Sequence, residues 1–126
     1  MELQLENSPK GHFIRSISDT HIIVGKEAYS HSFIITPALI IPNWRPLSAA
    51  SITSYDIDEI LTLKSEIVII GTGVKFATID PSILSRSIEL GLSIELMDTR
   101  AACRTYNLLA SEDRSIAAGI IMTDSS

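Results

Sequence analysis

The chain is poor in residues that staple, chelate or span. One cysteine among 126 residues, Cys103, excludes an internal disulfide and any multi-cysteine metal site within the chain. A reducing compartment fits that usage. Basic residues are outnumbered ten to fifteen, for a formal net charge of −5, and the imbalance is spread evenly, with seven acids and four bases in residues 1–63 and eight and six in 64–126. Nucleic-acid affinity needs a concentrated basic face, so no nucleic-acid partner is expected. The longest apolar runs are Phe33 to Ile35, Ala38 to Ile41 and Ile67 to Ile70, far short of the roughly 20 residues that cross a bilayer. Residues 1–11 show neither the basic stretch and apolar run of a secretory signal nor the Arg-rich character of a transit peptide. The expectation is a soluble protein that can dock at a membrane without spanning it.

What is present is the composition of an ordinary folded domain, 45% hydrophobic and 20% charged. A chain of this length buries roughly two-thirds of its unfolded surface, and short polar connectors leave no room for a second core. Residues 1–126 are therefore read as one α/β domain.

The first half reads as β structure, because short apolar and β-branched runs are broken at close intervals by turn residues. Strands are expected over Phe13 to Ile17, His21 to Val24, Ser32 to Thr36 and Leu39 to Pro42, a meander or hairpin layer. Beyond Trp44-Arg45-Pro46 the period becomes helical, with Ile57, Ile60 and Leu61 on one face of Asp56 to Leu63 and Ser54 or Asp56 as cap. Strand and helix then alternate, as in a βαβ path. Ile67 to Ile70 is apolar on both faces, the mark of a strand covered on two sides. Asp80-Pro81 opens a helix that Gly91 closes, with Ile83, Leu84, Ile88 and Leu90 as its buried stripe. Ser93 to Met97 is a strand, Thr99 caps a helix over Arg100 to Ser111, and Ser115 to Met122 is the last strand.

Four features bear on function. Gly71-Thr72-Gly73 follows the most buried strand, where α/β proteins place ligand loops. No third glycine stands at dinucleotide spacing and no Gly-Lys-Ser/Thr occurs, so the loop is read as a turn needing positive φ, or as a contact for a small anion or partner. The helix after Thr99 places Ala101, Ala102, Thr105, Tyr106, Leu108 and Leu109 on one face and Arg100, Arg104, Asn107 and Ser111 on the other. That second face is either plainly solvated or a docking surface in which two arginines one turn apart offer guanidinium forks to a carboxylate or phosphate. Asp98, just before this helix, is expected to cap it with Thr99 or to pair with an arginine such as Arg114. His12, His21 and His31 match no metal-ligand spacing, and no metal is called for. Cys103, placed between the two faces, is read as an inert thiol, and Trp44 as a core anchor.

An ordered set of stretches carries a family resemblance. It comprises Pro42-Asn43-Trp44, Ile67 to Ile70 with Gly71-Thr72-Gly73, Gly91, Ile94 to Thr99, Ala101-Ala102, Thr105-Tyr106-Asn107 and Glu112-Asp113-Arg114. From about residue 10 onward the chain resembles the family of mitochondrial NADH dehydrogenase (complex I) assembly factor 3 and its uncharacterised bacterial and archaeal relatives, an adipogenesis-associated Mth-type domain. The resemblance implies a compact three-layer α/β fold, with a central mixed β-sheet, helices packed on it and an additional N-terminal β-hairpin layer. It also implies protein partners, namely respiratory-complex subunits or assembly factors, and no enzymatic activity or cofactor. With no transit-peptide character in residues 1–11, it implies a bacterial cytoplasmic relative that can work at the periphery of the inner membrane.

The expected function is thus a non-enzymatic protein-interaction module assisting assembly of a respiratory or membrane-associated complex. Its binding surface would draw on Gly71, Thr72, Gly73, Asp98, Thr99, Arg100, Arg104, Asn107 and Arg114. The alternative is a small-molecule or anion-binding protein, or a hydrolase, with a cleft near the Gly71–Gly73 loop that joins Asp98 and Arg114.

Overall fold

A computed structural model describes residues 11–122. Its first layer is a three-stranded antiparallel sheet, β1 (Ile14–Ile17), β2 (Ile22–Val24) and β3 (Glu27–Tyr29). Gly25, with φ of 60°, makes the β2–β3 turn. The third strand was not foreseen, because Glu27–Tyr29 has no apolar run to announce it.

The second layer is a five-stranded mixed sheet in the order β5-β4-β8-β6-β7. Its members are β4 (Phe33–Ile35), β5 (Ile40–Ile41), β6 (Ile67–Gly71), β7 (Ile94–Met97) and β8 (Ile116–Ile120). β8 runs antiparallel to β4 and parallel to β6, which pairs in parallel with β7 on its other side. Three helices cover it: α1 (Ser54–Leu61), α2 (Ser85–Glu89, after a 3-10 turn at Pro81–Leu84) and α3 (Thr99–Ser111).

Period-two alternation sends each strand into two cores. Phe33, Ile35, Ile69, Ile116, Ala118 and Ile120 point to the side of α3 and the N-terminal sheet, together with Ala102, Cys103 and Tyr106. Ile34, Val68, Ile70 and Ala117 point to the other side, against Trp44, Ile52, Ile57 and Ile60. The path runs outward from β6 to β7 and back across β6 to β8, so two crossovers of one hand must lie on opposite faces. They do: Ile83 and Leu84 join the Trp44 core, whereas α3 joins the other.

Trp44 is the core anchor its setting implied. Asn43, at φ of 61°, turns the chain sharply, the Trp44 amide donates to the Ser32 carbonyl at 2.8 Å, and the ring lies over β8 at Gly119. α1 is capped by Thr53, while Asp56 closes the capping box from the third helical position. Sequence reasoning missed what else Asp56 does. It is buried and takes a two-point ion pair from Arg45, Nε to Oδ1 at 3.1 Å and Nη2 to Oδ2 at 2.6 Å. Burial alone would raise its pKa, but the bonds from Arg45 and Thr53 prevail and hold it below the ordinary carboxylate value.

The expected stripe on the helix ending near Gly91 is corrected. Ile83 and Leu84 are half-buried, but Ile88 is 69% and Leu90 54% exposed, and Ser87 is the buried residue of α2. The helix is only five residues long and turns Ser87 inward, which leaves Ile88 and Leu90 on its outward side.

Candidate functional site

The carboxyl ends of β6 and β7 meet where the chain leaves toward opposite faces, the place at which open α/β sheets form ligand crevices. Here the crevice is laced shut. The Thr72 amide donates to the Met97 carbonyl at 2.8 Å, and the Thr99 amide to the Gly73 carbonyl at 2.8 Å. In return the Thr99 hydroxyl accepts from the Gly73 amide at 3.0 Å and donates to the Ile121 carbonyl at 2.9 Å, tying β6, α3 and the end of β8 together. Gly71 permits this approach, because a Cβ there would sit 2.9 Å from the Thr99 Cα. Gly73 has φ of 120°, the positive value expected of the turn.

Thr72 is buried, and its hydroxyl lies 3.2 Å from the Lys75 and Met97 carbonyls while accepting from the Ala77 amide at 3.0 Å. The loop's polar backbone is thereby drawn inward. Its side chains are pushed out, leaving Val74 70% and Phe76 58% exposed on either side of Lys75. Neither residue was singled out in the sequence, since a Val-Lys-Phe triplet carries no periodic signal. The cavity beside the loop, lined in part by Ile17, Val74, Thr99 and Arg100, holds about 30 Å³, roughly the share of one water in the liquid.

Asp98, not Thr99, is the N-cap of α3, accepting from the Ala101 amide at 2.9 Å. Thr99 is the first helical residue and spends its hydroxyl on the lacing. Arg114 follows the other end of the 13-residue helix, about 20 Å away at 1.5 Å per residue. Asp98 and Arg114 therefore do not line one cleft. Arg114 borders a separate surface groove with Leu39, Leu63 and Ser115.

α3 is rotated from the orientation its hydropathy predicted. Its buried residues are Thr99, Ala102, Cys103, Tyr106 and Ala110, and Leu108 is 59% exposed. The reason is that α3 lies between two sheets, so it buries a second flank against β1. Asn107, expected to face partners, serves that flank: its Oδ1 accepts from the Ile14 amide at 2.9 Å and its Nδ2 donates to the Ile14 carbonyl at 2.8 Å. Tyr106 donates its hydroxyl to the His12 carbonyl at 2.7 Å. Cys103 is fully buried, and burial pushes its thiol up to about 12, so it is unreactive at neutral pH.

Arg100 and Arg104 remain on the surface. Arg100 pairs with Asp19 at 3.1 Å, both side chains more than half exposed, and such pairs contribute about 0–1 kcal/mol. Both arginines border a groove against β1, whose Arg15 joins them there. Among the described residues no three histidine, cysteine, aspartate or glutamate side chains form a metal-sized cluster, and no helix is long and apolar enough to cross a membrane.

Comparison with known proteins places this geometry. Residues 14–121 match the model of a family described as protein of unknown function (DUF498/DUF598). The chain is 31% identical over 110 residues to NADH dehydrogenase [ubiquinone] 1 alpha subcomplex assembly factor 3 of Xenopus tropicalis, covering 86% of this chain and 60% of that protein. It thus spans about three-fifths of that relative's length. A Francisella tularensis protein named 13 kDa major membrane protein is 30% identical over 122 residues, 96% of this chain and 99% of its own. A Xanthomonas campestris protein solved by NMR superposes with a TM-score of 0.82 at 28% identity, over all of this chain and 96% of that one. The three-layer mixed α/β architecture is shared with it.

Proposed function

This chain belongs to the family described as protein of unknown function (DUF498/DUF598), and from that premise we propose that it is a non-enzymatic protein-interaction module that assists assembly of a respiratory or membrane-associated complex. The observation that carries the reading is the likeness to complex I assembly factor 3 across 86% of the chain. Two features support it. The crevice where an α/β enzyme would hold its ligand is filled by backbone and threonine hydrogen bonds. Beside it the surface carries exposed Val74 and Phe76 next to exposed Arg100 and Arg104, the apolar-plus-arginine make-up of protein contact sites. An anion or small-molecule site at the Gly71–Gly73 loop has no comparable support. The relative named as a membrane protein supports a place of work at a membrane periphery.

The test is affinity capture from native cells, with soluble and membrane fractions analysed apart. Subunits or assembly factors of one membrane-associated complex should co-purify, and the double variant Val74→Ser with Phe76→Ser should lose them while retaining its fold. If the native protein brings down no subunit in either fraction, the assembly reading fails.

A further inference from the structure

The groove between β1 and the N-terminal half of α3 is bordered by three arginine residues on a protein of net charge −5. Arg100 and Arg104 reach it from successive turns of the helix, and Arg15 from β1; its remaining lining includes Ile14, Ile17, Cys103 and Asn107. It encloses about 310 Å³, room for a few side chains. Among the described residues nothing locks any of the three arginines in place. Arg15 gives one bond to the Gly25 carbonyl at 3.0 Å and Arg100 one to exposed Asp19, so toward the described residues most of the five N–H donors of each guanidinium are uncommitted. Arg104 forms no hydrogen bond or ion pair with any described residue.

Among the described residues the groove also runs along an open strand edge. β1 is the outer strand of its sheet, and Asn107 already bonds both backbone groups of Ile14 from outside, as a neighbouring strand would. Further along, the Ser18 amide bonds the His21 carbonyl and Ile17 stands opposite Ile22. In an antiparallel ladder bonded and non-bonded pairs alternate, so the Ile17 N–H and C=O point away from β2, toward the edge. An extended chain could take up pairing there where Asn107 leaves off.

We propose that this groove receives an acidic, extended segment of a partner protein, whose carboxylates meet Arg15, Arg100 and Arg104 while its backbone pairs with Ile17. The proposal rests on the interaction-module reading and names the chemistry of one partner element. Guanidinium forks favour carboxylates in two-point geometry, and the strand edge selects a peptide over a free anion or a lipid headgroup. Exchange of the exposed Arg100–Asp19 pair for a partner's carboxylate costs little.

The experiment uses the full chain and a fluorescent octapeptide alternating threonine with glutamate, against the same peptide with glutamine. Fluorescence anisotropy should show binding of the glutamate peptide alone, weakening as salt rises, with at least a tenfold loss in Arg104→Glu and in Arg15→Glu. Arg104→Gln separates lost charge from disturbed folding, and should fall between. Equal affinity for both peptides, or unchanged affinity in the arginine variants, overturns the proposal. So does binding of inorganic phosphate or of phosphatidylglycerol vesicles in place of the peptide. If these variants still capture complex subunits and the Val74/Phe76 variant does not, the groove is wrong and the assembly reading stands. If the peptide binds as described but native capture yields nothing, the reverse holds.

Discussion

At the scale of single residues, the fold depends on places where a side chain has been removed or turned inward. Gly119 in β8 is one: a Cβ there would stand 2.7 Å from the Ile60 Cδ1 and from two Trp44 ring carbons. Rigid ring and packed strand have little freedom to move apart, so Gly119→Ala should destabilise by about 1–3 kcal/mol. Urea titration followed by Trp44 fluorescence would show it as a lower midpoint with unchanged slope. An unchanged midpoint would mean the indole does not rest on that strand. Thr72 and Thr99 are the opposite case, small polar side chains kept inside because they satisfy backbone groups that loop and helix start leave over.

At the scale of elements, one side chain couples α3 to the N-terminal sheet. Asn107 supplies both partners of the Ile14 backbone, so Asn107→Ala strands a donor and an acceptor on β1. With each bond contributing about 0.5–1.5 kcal/mol, amide exchange at Ile14 should accelerate about ten- to a hundredfold. Exchange in β6 and β8 should hardly change, since those strands are paired on both sides. Uniform acceleration across both sheets would show that the layers unfold as one unit, and would contradict the clasp's local role. α2 teaches a different lesson: its apolar Ile88 and Leu90 match a helical stripe, yet lie outside because the five-residue helix turns Ser87 inward.

At the scale of the whole molecule, the dependence of stability on pH follows from the Asp56–Arg45 pair, which joins the segment after β5 to α1. The folded pKa of Asp56 lies below its ordinary 3.8, so its contribution is fully present above that value and is lost as pH falls through the lower, folded one. Denaturant titrations should show little change from pH 7 to pH 5 and a decline below about pH 4. In Asp56→Asn that acid decline should be shallower, from a lower starting stability. An identical slope in the variant would assign acid sensitivity to other carboxylates. The same global view explains why the switch-point crevice is laced by hydrogen bonds: α2 and α3 leave on opposite faces, but Gly71 lets the start of α3 close over the gap.

The sequence by itself determined the strands of the central sheet, the Asp80-Pro81 start and Gly91 end of the helical stretch between β6 and β7, and the family resemblance, because these are local signals with local causes; the caps of α1 and α3 fell to Thr53 and Asp98 instead of Ser54 or Asp56 and Thr99. It also indicated that Trp44 belongs inside and that the Cys103 thiol is inert. Only the tertiary structure decided which way α3 turns, because that depends on a β layer more than 80 positions away in the chain. The same distance hid the use of Asn107 as a clasp, the arrival of Arg15 beside Arg100 and Arg104, and the separation of Arg114 from Asp98. Hydropathy reports how much of a helix must be covered; what covers each flank is settled only when the layers close.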